Sequence, residues 1–206
     1  MIKGLKEYIE DYQGGGKCLV MGTGPSLKTL PTDFDMFSIS VNDIGDFRRA
    51  DTIIIVDRFN SFQPYKKERM GYTVPFLCPT EQNEWSSVVK GDIYSYTFAG
   101  YDVKNIETCT EKNQLVIGHT STFCALELAY LLGYNEIGVL GVDMSVGHAM
   151  NPDDNKVHPL KRILNTVDRE FKNLYNYIHS KGVNVYNLSQ ESAITAFPKI
   201  NLKEFL

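Results

Sequence analysis

A short apolar run, Lys17-Cys18-Leu19-Val20-Met21, passes without a break into Gly22-Thr23-Gly24-Pro25-Ser26. The run is long enough for one buried strand, and the glycine-rich stretch after it reads as a tight strand-to-helix turn. Gly22 and Gly24 lack a Cβ, so the backbone can turn sharply and an anion can approach closely. Pro25 suits a first helical turn, where its missing N–H is no loss. Ser26 can cap free N–H groups or offer its hydroxyl to a ligand oxygen, and the positive end of the helix dipole then faces an anion. Leu27 stands where a third glycine would complete GxGxxG, and no Lys-Ser/Thr pair comes after it, so this is not a P-loop. A turn with no ligand satisfies the same residues.

The rest of the chain alternates between strand and helix patterns. Residues 2–13 predict a short helix, broken by Gly14-Gly15-Gly16. Residues 36–41 predict a second strand. Thr52–Val56, continuous and mostly β-branched, predicts a central strand buried on both faces. Residues 60–70 predict a helix, and 73–78 a strand that Pro75 pushes toward a sheet edge. Residues 79–117 are turn-rich, with a strand at 93–98. A helix is predicted from Thr120 to Leu132 with Gly133 as its stop, and a buried strand from Glu136 to Val142 ending in Asp143. A polar loop over 144–159 precedes a long amphipathic helix, Leu160–Ser180, with Ile163, Val167, Phe171, Leu174 and Ile178 on one face. Gly182 closes that helix, and Val183–Leu188 is the last strand. Such alternation implies an α/β fold, a mostly parallel sheet with helices on both faces, in one domain over 1–206.

Composition bounds the function classes. The 206 residues carry a net charge of −4, with 43% hydrophobic and 22% charged side chains. That balance is ordinary for a globular protein and lacks the basic face a nucleic-acid binder shows. An acidic protein can still hold phosphate on backbone N–H groups. No apolar stretch approaches the ~18 residues of a membrane span, and the amphipathic start has no signal-peptide core. A cytoplasmic protein is expected, with peripheral membrane association and homo-oligomer formation left open. Cys18, Cys78, Cys109 and Cys124 form no CxxC pair and are expected to be buried thiols.

In open α/β sheets, ligands bind beyond the carboxyl ends of the strands. The predicted strands deliver small or polar groups there: Gly22, Thr23, Gly24 and Ser26; Asn42 and Asp43; Asp57; Asp143; Asn187 and Ser189. The helix at 121 opens with His119-Thr120-Ser121, which can hold an anion or simply cap the helix. Asp57 and Asp143 can bind ribose hydroxyls, bind Mg²⁺, act as bases or cap the next helix. Asn42 is a turn residue or a substrate partner. His148 and His158 lie in the polar loop, placed as a lid would be, where a histidine suits general-base work near neutral pH.

Leu19-Val-Met-Gly-Thr-Gly-Pro-Ser-Leu-Lys28, Asp33-Phe-Asp-Met-Phe37, Asn42, His119-Thr-Ser-Thr-Phe-Cys-Ala125, Leu132-Gly-Tyr-Asn-Glu-Ile137 and Leu140-Gly-Val-Asp143 stand in this order along the chain. Together they resemble the bacterial CMP-sialic-acid-dependent sialyltransferases of the lipooligosaccharide type. They also resemble the related 6-hydroxymethylpterin pyrophosphokinase-like and motility-accessory-factor group. The resemblance spans residues 18 to about 198 and is patchy between 58 and 115. It implies a Rossmann-like fold with a short lid loop that binds a CMP-sugar without a metal and passes the sugar to a surface-glycan acceptor. Gly22, Thr23, Gly24, Pro25, Ser26, Asp57, His119, Thr120 and Ser121 would hold the nucleotide. His158, Asn42 and Asp143 would serve catalysis, His158 as the base. The family usually carries Asn where this chain has Thr23, and its longer lid supplies tyrosines that the 144–159 loop lacks. The pterin-enzyme likeness implies instead a pyrophosphate transferase with Mg²⁺ on Asp57 or Asp143. A non-catalytic nucleotide-binding protein on the same scaffold is the third expectation.

Overall fold

The structure is a computed structural model that describes residues 2–62, 67, 71–80, 83–144 and 162–206. Its core is one wholly parallel sheet. The strands are β1 (Lys3–Gly4), β2 (Lys17–Met21), β3 (Ser38–Val41), β4 (Thr52–Ile54), β5 (Phe76–Pro79), β6 (Ile93–Ala99), β7 (Gln114–Val116), β8 (Glu136–Leu140) and β9 (Asn184–Asn187). They lie in the order β1-β6-β5-β4-β3-β2-β8-β9, with β7 paired to the second half of β6. After β1, which pairs with β6, the chain runs from β2 outward through β3, β4, β5 and β6, then returns to lay β8 against the other side of β2. The strand order therefore reverses between β2 and β8, and a crevice opens at their carboxyl ends.

Alternation along the strands builds two cores. Cys18, Val20, Ile39, Val41, Ile137 and Val139 face one way, joined by α1 (Leu5–Asp11), α2 (Ile106–Thr110), α3 (Ser121–Leu131) and α4 (Leu164–Ser180). Leu19, Met21, Ile53, Ile55, Phe76 and Leu140 face the other way. Among the described residues that second face is covered by short 3₁₀ turns at Pro25–Thr29, Asn42–Asp46 and Asn83–Ser87 and by α5 (Leu202–Phe205). Trp85, fully buried there, packs edge-on to Phe59 and Phe62.

Helix ends fall where their chemistry dictates. The Thr120 side chain accepts the Phe123 N–H at 3.0 Å and caps α3. Gly133, at φ +92°, ends it in a Schellman motif, with Gly133 N–H bonded to Tyr130 C=O and Tyr134 N–H to Ala129 C=O. Val167, Phe171, Leu174 and Ile178 form the buried stripe of α4, whereas Ile163 precedes the helix and is 37% exposed.

Several expectations are corrected. Residues 3–4 form a strand on β6 rather than the start of a helix. β5 is internal, between β4 and β6. Pro75 lies one residue before it and contributes only its carbonyl, which accepts from Ile53 N–H at 3.0 Å, so its missing N–H breaks no ladder bond. The 3₁₀ turn Phe59–Ser61 stands where a helix was expected to begin, and residues 63–66 and 68–70 of that segment lie outside the described residues. All four cysteines are buried and free.

Candidate functional site

At the carboxyl end of β2, the turn through residues 22–26 is pressed against the matching turn after β8. Gly22 N–H bonds to Leu140 C=O and Gly24 N–H to Gly141 C=O, both at 2.7 Å. Ser26 donates its N–H and its hydroxyl to Asp143 Oδ2, each at 3.0 Å. A Cβ on Gly24 would stand 2.1 Å from that same oxygen. The glycines are therefore needed for close packing between two strand ends. The expectation that these amides wait unpaired for an anion is corrected: the amides of Gly22, Gly24 and Ser26 are occupied by the protein's own acceptors. Asp143 is 3% exposed and ties the two turns together rather than capping a helix. Pro25, Ser26 and Asp143 line a cavity of about 520 Å³ whose other walls include Leu188, Leu202 and Leu206.

The remaining candidates meet elsewhere. Thr23, Asn42, Asp57, His119, Thr120 and Ser121, with Val41, Val56, Thr122 and Met144, line one cavity of about 370 Å³. They arrive from five separate places: the turn after β2, the ends of β3 and β4, the amino end of α3 and, for Met144, the segment after β8. Asn42 has φ +56°, a left-handed conformation that Asn tolerates better than most residues. It is both a turn residue, opening a 3₁₀ turn, and a polar cavity group, its Oδ1 accepting from the Ser121 hydroxyl at 3.4 Å. Met144, at φ +54°, is strained by roughly 1 kcal/mol or more and ends the described part of this wall. His148, His158 and most of the 144–159 loop lie outside the described residues.

The amino end of α3 contributes polarity of its own. Thr120 engages the Phe123 N–H, and the main chain at Ser121 and Thr122 begins the helix on the cavity wall. An eleven-residue helix directs a partial positive charge to that end. Behind it, Glu127 is fully buried and accepts the Val116 N–H at 2.9 Å. Burial pushes its carboxyl up to about 8 against the opposing pull of that N–H, so it is neutral below that pH.

His119 carries contacts that the sequence did not announce. Its main-chain N–H donates to Glu170 Oε2 at 3.0 Å, and its Nδ1 lies 2.6 Å from Glu170 Oε1. Tyr101 stacks over its ring at 6.3 Å and 28°. Glu170 comes from the middle of α4, next to the buried Phe171. Helical periodicity marks it only as a position beside the apolar stripe, so nothing local pointed to it.

No family model and no curated relative matches this sequence. Solved structures do match the fold. The MAf glycosyltransferase from Magnetospirillum magneticum AMB-1 aligns over 89% of this chain with a TM-score of 0.60 and 13% identity. This chain spans 33% of that protein's length. The sialyltransferase CstII from Campylobacter jejuni in complex with cytidine-5′-monophosphate aligns over 89% of this chain and 84% of its own, with a TM-score of 0.52 and 16% identity. The monofunctional alpha-2,3-sialyltransferase Cst-I from Campylobacter jejuni aligns over 92% and 81%, with a TM-score of 0.53 and 16% identity. At such identities the likeness is one of architecture, and the chain has the α/β fold that these glycosyltransferases share.

Proposed function

We propose that this chain is a glycosyltransferase of the sialyltransferase-like kind, using a CMP-sugar donor to extend a surface glycan. The observation that carries the reading is the convergence of Thr23, Asn42, Asp57, His119, Thr120 and Ser121 on one cavity at the carboxyl ends of parallel strands. At about 370 Å³ it lies within the roughly 300–1,000 Å³ of small-molecule sites. CMP is the choice of nucleotide because it is the ligand named for a protein of this fold.

The donor phosphate rests at the amino end of α3, on the Ser121 and Thr122 amides and the Ser121 hydroxyl, where helix dipole and hydrogen bonding act together. Thr23 is the member of the glycine turn that reaches the cavity, with Gly22, Gly24, Pro25 and Ser26 holding it in place. Asp57 binds ribose hydroxyls. Asn42 orients the transferred sugar once the Ser121 hydroxyl, which donates to Asn42 Oδ1 in the free protein, turns to the phosphate. A neighbouring cavity of about 310 Å³, lined by Arg58, Thr80 and Thr97 and sharing the Val56 wall, takes the acceptor.

The reading requires no metal. The pyrophosphate-transferase alternative would instead hold Mg²⁺ on Asp57 or Asp143, which line different cavities. A thermal-shift series with CMP, UMP, GMP and ATP, each with and without Mg²⁺, tests this. A melting-point rise with CMP that is indifferent to Mg²⁺ is expected. A rise confined to ATP with Mg²⁺ would move the protein to phosphoryl transfer.

A further inference from the structure

We propose that the groove between the 3₁₀ turn Val103–Asn105 and α4 is a second glycan site, holding the acceptor's sugars behind the one that receives the transferred residue; this rests on the glycosyltransferase reading above. The groove has a volume of about 470 Å³, inside the roughly 300–1,000 Å³ of small-molecule sites. Asn173, Asn176, Tyr177 and Ser180 stand at i, i+3, i+4 and i+7 on α4 and form one wall. The buried stripe of Val167, Phe171, Leu174 and Ile178 lies on another side of the same helix. Tyr101, Asp102 and Lys104 form the opposite wall. Tyr101 is 66% exposed, more than any other large hydrophobic residue among the described ones.

The chemistry of the lining points to a sugar. Tyr101 offers a rigid aromatic face to the C–H face of a pyranose ring. The Asn173 and Asn176 side chains make no hydrogen bond to the described residues, so each offers an N–H donor pair and a carbonyl acceptor to hydroxyl groups. The lining's one acid and one cation, Asp102 and Lys104, cancel, whereas a nucleic acid needs a surplus of cations. Val103 is the only aliphatic residue of the lining, so an amphipathic helix finds no apolar strip. The walls are already ordered, which keeps the cost of binding low. The Tyr177 hydroxyl donates to Glu107, which also accepts from Tyr130 at 2.7 Å and pairs with Lys181 at 3.4 Å. Asp102 Oδ1 accepts the Lys104 N–H at 3.1 Å. Tyr101 also joins the groove to the transfer site. Its ring stacks on His119 of the nucleotide cavity at 6.3 Å, and it follows Phe98 of the acceptor cavity by three residues. A glycan with its end sugar in the acceptor cavity thus has its next units beside Tyr101.

The test presents the full chain, without donor, to a printed array of neutral and acidic glycans from disaccharides upward. Wild type should hold the longer glycans. Tyr101→Ala and the double variant Asn173→Ala/Asn176→Ala should bind them about tenfold or more weaker, with melting temperatures preserved because these side chains are exposed. In transfer from CMP-N-acetylneuraminic acid, read as CMP release, the kcat/KM for a bound array glycan relative to its own non-reducing terminal disaccharide should fall by a similar factor. Equal array binding in wild type and variants, an unchanged kcat/KM ratio, or no glycan held by wild type overturns the groove and leaves the transfer reading standing. Glycan binding that the variants lose, with no CMP release by wild type, overturns the transfer reading and leaves the groove as a glycan site.

Discussion

Glu127→Gln separates a buried carboxyl's electrostatics from its packing. Glu127 lies in α3 with no exposed surface, one oxygen bonded to Val116 N–H and the other without a partner among the described residues. Burial raises its carboxyl from the ordinary 4.5 to about 8 in the folded chain. The unfolded chain ionises it near 4.5, so the folded state holds the extra proton between these values and stability falls as pH rises through them. The loss is about 1.4 kcal/mol per pH unit, roughly 3–5 kcal/mol across the window. Cys109, Cys124 and Tyr96 face the same pocket; burial raises all three, so they stay neutral throughout. The glutamine variant keeps the acceptor for Val116 and removes the titration. Urea unfolding at pH 5, 6.5 and 8, monitored by the fluorescence of the lone tryptophan, measures the effect. The variant should be within about 1 kcal/mol of wild type at pH 5 and more stable by several kcal/mol at pH 8. Parallel pH profiles for the two proteins would refute the reasoning.

Gly141→Ala should destabilise the fold by about 2 kcal/mol or more, because Gly141 sits at φ +82° and its Cβ would meet Gly22 O at 2.4 Å; chemical denaturation reads the loss. Trp85→Ala should remove about 3–5 kcal/mol, since the ring is fully buried among Phe59, Phe62 and Phe76; calorimetric melting checks it. Glu107 would be raised by burial, but the Tyr177 and Tyr130 hydroxyls and Lys181 hold it down at about 2. Its contribution is present above the ordinary 4.5 and is lost as pH falls toward 2. Tyr177→Phe should therefore show its largest stability deficit at neutral pH, narrowing on acidification.

The parts of the fold visible in the sequence were those coded locally. The apolar runs of β2, β4, β8 and β9, the Thr120 cap and the Gly133 stop are all set by neighbours within a few residues. β1 and β7 are two and three residues long, too short to show a period, and they exist because β6 offers them a partner. Pro75 misled because its effect depends on where the strand begins. For the site, the rule that ligands gather at strand ends picked out Thr23, Asn42 and Asp57, which line one cavity together with His119 to Ser121 from the helix start. It could not separate Ser26 and Asp143, since their bond joins residues 117 positions apart. Nor could it reveal Glu170, whose role comes from the way α4 packs beside the start of α3. The engagement of the Gly24 amide by Gly141 is likewise tertiary, and for that reason the proposed reading puts the phosphate at the amino end of α3 and not on the glycine turn.

The central claim is that a nucleotide occupies the Thr23–Asn42–Ser121 cavity with its phosphate on α3. Isothermal titration of CMP into wild type and Ser121→Ala tests it directly. One site per chain is expected, with the variant about tenfold or more weaker, the loss of a charge-assisted hydrogen bond worth roughly 1.5–3 kcal/mol. Heatless wild-type titrations with no melting shift, or equal affinity in both proteins, would contradict it.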